Sequence, residues 1–320
     1  MIKNLRIENY KSVKELDLKC NRINLFIGEP NVGKSNILEA LALYSLPYLK
    51  EFKDLVRFQD SINLFSENDP SNQINIISEN GNFNIVFDSG ADQIVANFPN
   101  NLQLRFSING KWFNQNLGIV DDLKVRPYFF KALTEFKNKR IDFLAPPNGN
   151  NLFSILQSNK HLRQVVSDFV KGRGFKLTFR QATSDIEISK EENNILTTYP
   201  YQIISDTLQR MIFFLSAMES NGDGTTLLFE EPESNVFPYY TNFLAERIAI
   251  DSGKQYFIST HNPYFLQSII EKTPSNDLQV SIVQMQNFQT KVVSLSEKTR
   301  SQILDLNSDV FLNFDKLLEE

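Results

Sequence analysis

The chain has 320 residues, of which 41% are hydrophobic, and its formal net charge is -5 at pH 7. This length and composition suit one or two globular domains with a sizeable buried core, and they exclude a disordered or collagen-like protein. The acidic balance excludes a protein that is basic over its whole surface, although a local basic face is still compatible with nucleic-acid binding.

No targeting or membrane segment is predicted. The opening stretch, MIKNLRIENYKSVKELDL, lacks the uninterrupted apolar core of a signal peptide. No later segment has about 18 apolar residues in a row. Cys20 is the only cysteine, which excludes an intramolecular disulfide and a cysteine-built zinc site. We therefore expect a soluble, cytoplasmic protein without membrane contact, in which Cys20 is a small core residue.

The N-terminal part of the chain predicts strands and one helix. KNLRIENY and RINLFIG have the apolar pattern of strands, and KSNILEALALYSL has that of a helix. The apolar face of this helix consists of Ile37, Leu38, Leu41 and Ala42. Residues 73–118 alternate apolar and polar side chains between Asn/Gly turns, which predicts an antiparallel meander.

The middle of the chain is predicted to be largely helical. Residues 124–140 and 151–171 have helical periodicity, and IDFLAP between them is a candidate strand. FKLTFRQ and DIEISK predict a hairpin.

Helix and strand alternate again toward the C-terminus. Ser205 is a suitable N-cap for the helix in YQIISDTLQRMIFFLSAMESNG. TTLLFEEPE and KQYFISTHNP are each an apolar strand followed by polar residues. The two ends of the chain therefore predict one α/β domain with a parallel or mixed sheet, together with an antiparallel β subdomain and a helical insert. The expected parts are an N-terminal lobe at 1–120, an insert at 121–200 and a C-terminal lobe at 201–320.

The segment GEPNVGKS, residues 28–35, matches the phosphate-binding pattern G-x-x-x-x-G-K-[ST] at every fixed position. Gly28 and Gly33 permit the tight turn that points backbone N–H groups inward. Lys34 offers charge to the phosphates, and Ser35 is a candidate ligand of Mg²⁺. The segment also lies between a predicted strand and a predicted helix, as such a site requires. The predicted ATP-binding residues are Gly28, Asn31, Gly33, Lys34, Ser35 and Asn36.

Two predicted strand ends supply candidate groups for hydrolysis. Glu230, at the end of the strand in LLFEEPE, is a second candidate ligand of Mg²⁺, and Glu231 is a candidate for polarising the attacking water. His261 closes FISTH, in the strand expected beside that of Glu231, and is a candidate sensor of the γ-phosphate. His161 has a plain helical context and is interpreted as structural.

These motifs, in this order, resemble the ABC-type ATPase heads of the RecF, SMC and OLD families. The stretch LRIENYKSVKELDL…INLFIGEPNVGKSNILEAL is similar to their N-terminal lobe, LLFEEPESNVFP to their Walker B motif and D-loop, and STHNPYFL to their switch-histidine loop. The likeness is closest to standalone OLD-like AAA family ATPases of bacteria, and it extends through VVSLSEKTRSQILDLNSDVFLNF. It implies a P-loop NTPase fold in which residues 1–320 form one ABC-type head.

The resemblance also implies a homodimer in which two heads sandwich two ATP molecules with Mg²⁺, and in which hydrolysis releases the dimer. The dimer signature falls on ISDTLQR, where Ser205 and Asp206 would complete the pocket of the opposite subunit. The glycine that is usual there is replaced by Thr207. Asn235 would be the D-loop residue that faces the partner. Gln59 is a candidate for the glutamine that senses the metal, and an ordinary surface glutamine is the alternative.

Two functions stay open on the sequence. SMC relatives thread long coiled coils through the middle of the chain, and most OLD relatives add a C-terminal nuclease domain; neither feature is visible here. We therefore expect an ATPase without nuclease activity that serves a separately encoded effector, as in bacterial antiphage systems. A RecF-like DNA-binding clamp in DNA repair is the alternative.

The alternative depends on a basic segment at residues 123–140, in which aromatic residues alternate with charged ones. Its charged residues are Lys124, Arg126, Lys131, Lys137, Lys139 and Arg140, against the single acid Glu135. The segment would form a helix whose basic face contacts DNA phosphates, or merely a solvated helix face.

Overall fold

A computed structural model of the chain describes residues 1–49, 52–99, 101–111, 113, 124–137, 141–306 and 311. Its strands are β1 (Asn4–Tyr10), β2 (Val13–Lys19), β3 (Ile23–Ile27), β4 (Ile74–Ser78), β5 (Gly81–Asp88), β6 (Gln93–Asn97), β7 (Gln103–Ser107), β8 (Val125–Tyr128), β9 (Lys176–Arg180), β10 (Asp185–Glu192), β11 (Ile195–Pro200), β12 (Thr226–Glu230), β13 (Gln255–Ser259), β14 (Leu278–Gln286) and β15 (Gln289–Ser294). Its α-helices are α1 (Lys34–Ala42), α2 (Leu152–Ser158), α3 (Lys160–Lys171), α4 (Asp206–Ser220), α5 (Pro238–Ile250), α6 (Pro263–Lys272) and α7 (Glu297–Leu306).

A six-stranded sheet in the order β15-β14-β3-β13-β12-β8 forms the centre of the fold. All neighbouring strands run parallel except β15, which pairs antiparallel with β14. Every residue of β3 and of β13 is buried, as expected for parallel strands that are covered on both faces. The predicted parallel sheet that joins the two ends of the chain is therefore confirmed. The carboxyl ends of β3, β12 and β13 meet at one edge.

A second six-stranded sheet, antiparallel and in the order β2-β1-β4-β5-β6-β7, covers one side of the centre. The predicted meander is confirmed as β4 to β7. The sequence does not predict β2, because VKELDLK is mostly charged and only its apolar positions are buried.

The central sheet separates two hydrophobic clusters, since alternate strand residues point to opposite faces. Leu228 and Phe257 belong to the cluster beneath α1 and the antiparallel sheet, where Cys20 is also buried, as predicted. Phe229 and Ile258 belong to the cluster that the helices α2 to α6 cover. The strands that carry the candidate site are thus packed from both sides.

A third, smaller sheet has the order β11-β10-β9. It confirms the predicted hairpin as β9 and β10 and extends it by β11, whose residues are mostly exposed. No helix in the described part of the chain has the length and apolar composition that would carry it across a bilayer.

The helix predicted over residues 124–140 is wrong for the residues that the structure describes. Val125–Tyr128 is a fully buried strand that pairs in parallel with β12, and residues 129–137 are neither helix nor strand. Pro127 is tolerated because β8 lies at the edge of the sheet. The strand expected in IDFLAP is also wrong: residues 141–146 are irregular, and their apolar side chains fill the core without pairing.

The basic residues of this segment consequently share no helix face. Lys124 and Lys131 lie at opposite ends of β8. Arg126 is buried, and its Nη1 donates a hydrogen bond to Oδ1 of Asn221, so its guanidinium does not face solvent. The predicted helical surface for DNA is therefore not present among the described residues. Two basic residues of the segment, Lys139 and Arg140, lie outside the described residues.

Candidate functional site

The carboxyl edge of the central sheet opens into a hollow of about 650 Å³. The hollow lies where the chain leaves β3 and β12 and where the loop after β13 reaches the same edge. Polar side chains from all three places line it. Those that the sequence predicts are Asn31, Lys34, Ser35, Asn36, Glu230, Glu231 and His261, together with Gly33.

The turn between β3 and α1 depends on its two fixed glycines. Gly33 has φ 100°, and a Cβ on it would lie 2.0 Å from Oγ1 of Thr290. Gly28 has φ 149°, and a Cβ there would lie 2.3 Å from the carbonyl oxygen of Val283. Asn31 also has a left-handed backbone, with φ 64°, which Asn tolerates better than most residues. The turn is therefore packed tightly against the hairpin of β14 and β15.

Lys34, the first residue of α1, is buried and points back into the turn. Its Nζ donates hydrogen bonds to the carbonyl oxygens of Gly28 at 2.9 Å and Glu29 at 2.7 Å. Burial lowers the pKa of Lys34 to about 8, against the raising effect of the nearby carboxylates of Glu231 and Glu230. Among the described residues, the hydrogen bonds of the Lys34 ammonium go to backbone carbonyl groups of the turn.

Ser35 and Glu230 bring two oxygen ligands together beside Lys34. The Ser35 hydroxyl donates to Oε1 of Glu230 at 2.5 Å, and Nη2 of Arg57 lies 3.3 Å from Oε2 of the same carboxylate. Hydroxyl and carboxylate oxygens are the hard donors that Mg²⁺ prefers. The pair therefore fits a magnesium ion as oxygen ligands.

Glu231 and His261 face each other across neighbouring strand ends. Nε2 of His261 lies 3.2 Å from Oε1 of Glu231, and the Ser234 hydroxyl donates to the other carboxylate oxygen at 2.9 Å. The predicted pairing of their strands is confirmed, because the backbone N–H of Glu231 bonds to the carbonyl oxygen of Ser259 at 3.0 Å. Glu231 has φ 42°, a left-handed conformation that is uncommon for glutamate and frequent at functional sites.

The charge state of His261 follows from its surroundings. Burial lowers its pKa, the positive charge of Lys34 lowers it further, and the carboxylate of Glu231 opposes both. These effects favour the neutral form of the imidazole at pH 7. A hydrogen on Nε2 would be directed at this carboxylate, which only accepts hydrogen bonds.

The residues predicted for the dimer signature and the D-loop lie outside the hollow, but close to each other. Ser205 caps α4 by accepting a hydrogen bond from the N–H of Leu208, which confirms the predicted N-cap. The hydroxyl of Thr207 donates to the carbonyl oxygen of Asn235 at 3.1 Å. Ser205, Asp206 and Asn235 are all exposed. They form one surface, the α4 face, whose three residues do not line the hollow, although Asp206 pairs with Arg210, a lining residue, at 2.9 Å.

Gln59 does not join the hollow. Its side chain is exposed, and the residue that lines the hollow from this loop is Arg57. Asn36 lines the hollow and also donates to the Ser12 hydroxyl at 2.7 Å, which links α1 to the turn between β1 and β2.

Several lining residues have no signal in the sequence. Lys11 pairs with the buried Glu39 at the side of the hollow, and both were ordinary charged residues in the sequence. Phe129 and Phe130 follow β8 at the same sheet edge; recognising 125–128 as a strand would have placed them there. The other lining residues that were not predicted as site residues are Pro30, Arg57, Arg210 and Ser234, of which Arg210 and Ser234 lie within the motif stretches ISDTLQR and LLFEEPESNVFP.

Comparison with known proteins gives one family and a set of similar folds. The family described as AAA ATPase domain matches residues 1–209. The fold is similar to that of an SMC head bound to the C-terminal winged-helix domain of ScpA, with TM-score 0.56, 13% identity and coverage of 93% of this chain and 98% of that one. It is also similar to a Pyrococcus furiosus SMC head with an extended coiled coil, bound to the C-terminal domain of ScpA, with TM-score 0.55, 13% identity and coverage of 95% and 98%. A search of curated proteins finds no match.

Proposed function

Because the chain belongs to the family of AAA ATPase domains and has the fold of an SMC-type head, we propose that it is an ATP-driven switch that dimerises. The observation that carries the proposal is the contact between Glu231 and His261 at 3.2 Å, beside the paired Ser35 and Glu230. A phosphate turn alone binds nucleotide. A carboxylate facing a neutral imidazole at the same edge supplies groups that activate water.

Binding would begin at the turn of residues 28–33. Its backbone N–H groups and the first turn of α1 favour anionic phosphate. Lys34, now bonded to two backbone carbonyls, would exchange them for phosphate oxygens, which form stronger, charge-assisted hydrogen bonds. Ser35 and Glu230 would hold Mg²⁺, and the bound ion supplies neutralisation of the charge on the phosphate oxygens.

Hydrolysis would use Glu231 to orient water and accept its proton. Ser234 fixes one oxygen of this carboxylate by a hydrogen bond, which leaves the other oxygen directed toward His261. His261, neutral at pH 7, would donate its Nε2 hydrogen to a negatively charged oxygen. It would thereby report whether the terminal phosphate is present.

Dimerisation would join the hollow of one copy to the α4 face of the other. The α4 face offers the Ser205 hydroxyl and the start of a helix, both suited to phosphate, yet neither faces the hollow of its own chain. Large apolar side chains surround this face and are about two-thirds exposed, as is common at protein interfaces. They are Ile203 at 68%, Phe237 at 66% and Tyr239 at 65%.

The useful output would be the dimer itself, read by a separately encoded effector, as in bacterial defence systems with OLD-like heads. In support, both similar head structures contain a domain of ScpA as a second protein. The DNA-clamp alternative loses its main support because Arg126 is buried and the basic helix is absent among the described residues.

Glu231→Gln tests the catalytic assignment. The variant keeps the shape of the site but removes the proton acceptor, so we expect ATP binding to persist, hydrolysis to fall by about 10²- to 10⁴-fold, and an ATP-bound dimer to accumulate. Hydrolysis, ATP affinity and mass by light scattering are measured together. Glu271→Gln, on an exposed part of α6, is the matched control. Normal turnover in Glu231→Gln would refute the assignment.

The effector proposal has its own test. Tagged Glu231→Gln, locked with ATP, is purified from the native host beside Lys34→Ala, which should not reach the ATP-bound state. We expect one protein to co-purify in stoichiometric amount with the first variant and not with the second. Recovery of only the chain itself in both cases contradicts an effector.

A further inference from the structure

The loop after β12 holds a third acid, Glu233, that the proposed reaction does not use. Its side chain is buried, at 3% exposure. The hydroxyl of Thr260 donates to Oε1 of Glu233, whereas Oε2 has no hydrogen-bond partner among the described residues. A buried carboxyl group with one unpaired oxygen is unfavourable, and such groups call for an explanation.

Glu233 connects the two loops that carry the catalytic pair. The ladder between β12 and β13 ends with Glu230 opposite Ser259, and one further backbone bond joins Glu231 to Ser259. Beyond that point, the hydrogen bond from Thr260 to Glu233 links the loops through side chains. Thr260 directly precedes His261 in the chain.

Thr260 fixes the backbone on both sides of His261. Its own N–H bonds to the carbonyl oxygen of Phe26 at 3.1 Å, and its hydroxyl accepts a hydrogen bond from the N–H of Asn262 at 3.0 Å. A hydroxyl has one hydrogen to donate. Since that hydrogen goes to Glu233, the carboxyl group determines how the Thr260 hydroxyl is oriented, and with it the path of the chain through His261.

We propose that Glu233 is a positioning residue, which acts through Thr260 to hold His261 against Glu231. This inference rests on the proposed ATP hydrolysis. The bridge sets the distance between the group that orients water and the group that senses phosphate, and an error of about 1 Å in such a distance is known to cost up to a hundredfold in rate.

Electrostatics agree with this geometry. Burial raises the pKa of Glu233 to about 7, and the charge of Glu231 adds to this, while the Thr260 hydroxyl and the backbone N–H groups of Glu233 and His261 oppose it. Either charge state leaves an oxygen that accepts the Thr260 hydrogen. A glutamine also offers such an oxygen, so Glu233→Gln is expected to preserve the bridge, and Glu233→Ala to remove it.

The test uses the two histidines of the chain as probes. Imidazole NMR signals of His261 are compared with those of His161, which is 73% exposed on α3 and serves as an internal reference. Glu233→Ala and Thr260→Val should shift or broaden the His261 signals alone. Glu233→Gln and Thr260→Ser should leave them close to those of the wild type.

The same variants are then assayed with ATP. We expect Glu233→Ala and Thr260→Val to lower kcat by about ten- to a hundredfold with little change in ATP affinity. Because they break one bridge, the double variant should be no slower than the slower single one. Thr260→Val is nearly isosteric, so it still decides the question if Glu233→Ala fails to fold.

Two results separate the inference from the proposed function. If the wild type does not hydrolyse ATP, the proposed function fails, and the His261 signals alone decide whether the bridge holds the loop. If the wild type hydrolyses ATP but the His261 signals stay unchanged in both disrupting variants, the positioning role is refuted. Losses of kcat that multiply in the double variant refute it as well.

Discussion

The predicted site residues of the hollow differ from those of the α4 face in their contacts and in their exposure to solvent. In the hollow, Lys34, Ser35 and Glu231 each form hydrogen bonds or close polar contacts within the chain. On the α4 face, Asp206 and Asn235 are exposed beside large apolar side chains. Under the proposed function, the hollow binds ATP in a single copy, whereas the α4 face acts only when a second copy is present. Variants of the two regions should therefore fail in different ways.

Lys34→Ala should have the largest effect on binding. The variant removes a buried cation that is bonded to two carbonyl oxygens of the turn, and a hydrogen bond from a charged group contributes about 1.5–3 kcal/mol. We expect ATP affinity to fall roughly ten- to a hundredfold, as measured by calorimetry on the monomer. Lys171→Ala, exposed at the end of α3, is the control. An ATP affinity equal to that of the wild type would show that Lys34 and the hollow do not bind the nucleotide.

Ser205→Asp should separate the α4 face from the hollow. Aspartate is as good an N-cap as serine, so α4 stays capped, but its charge would repel the phosphates of a nucleotide held by a second copy. We expect monomer affinity for ATP to be retained, and ATP-dependent dimerisation and hydrolysis to fall by about tenfold or more. Analytical ultracentrifugation with and without ATP measures this.

Asn159→Asp, which makes the same kind of change at the N-cap of α3, is the matched control for the charge. If Ser205→Asp dimerises normally with ATP, the α4 face is not the complement of the hollow.

The hollow was largely predictable from the sequence because its residues follow strands. Apolar strands end in polar residues at GEPNVGKS, FEEPE and STHNP, and parallel strands place such ends at one edge. This rule placed Lys34, Glu230, Glu231 and His261 correctly in one hollow. The rule failed at β8, since four apolar or basic residues with a central proline have no clear strand period.

Other lining residues could not be found from the sequence for a different reason. Lys11 and Arg57 enter the hollow from turns far from the motifs, and their place depends on how the antiparallel sheet packs on α1. In the sequence Glu233 is one of three acids that follow or end an apolar strand, whereas the structure buries it. Burial of a single polar residue depends on tertiary packing, which local patterns do not encode.

Glu233→Gln should show that the buried carboxylate of Glu233, near the hollow, lowers the stability of the folded protein. In the folded chain the pKa of Glu233 is about 7 instead of its ordinary 4.5, so the folded state keeps a proton that the unfolded chain releases. The contribution of Glu233 to the free energy of unfolding therefore falls as pH rises from about 4.5 to about 7. The Tm of Glu233→Gln relative to the wild type should rise by a few degrees between pH 5 and pH 8.

The exposed Glu271→Gln serves as the control and should show no such trend. A Tm difference that does not depend on pH would mean that Glu233 stays charged in the folded protein.

Thr290→Val should have the smallest effect, and it tests how far the hollow depends on packing beyond its own residues. The Thr290 hydroxyl donates to the carbonyl oxygen of Val32 at 2.9 Å and lies 2.6 Å from the Ser12 hydroxyl, in the space that a Cβ on Gly33 would fill. Valine keeps the volume and loses about 1 kcal/mol of hydrogen bonding, so we expect ATP affinity to fall by about fivefold. Thr290→Ser retains the hydroxyl and should bind ATP almost as the wild type does.

Equal ATP binding by Thr290→Val and Thr290→Ser would show that the turn keeps its shape without the hydrogen bonds from the hairpin of β14 and β15. Weaker ATP binding by Thr290→Val but not by Thr290→Ser would show that β15 helps to hold the turn in its binding shape. We expect neither variant to change dimerisation through the α4 face.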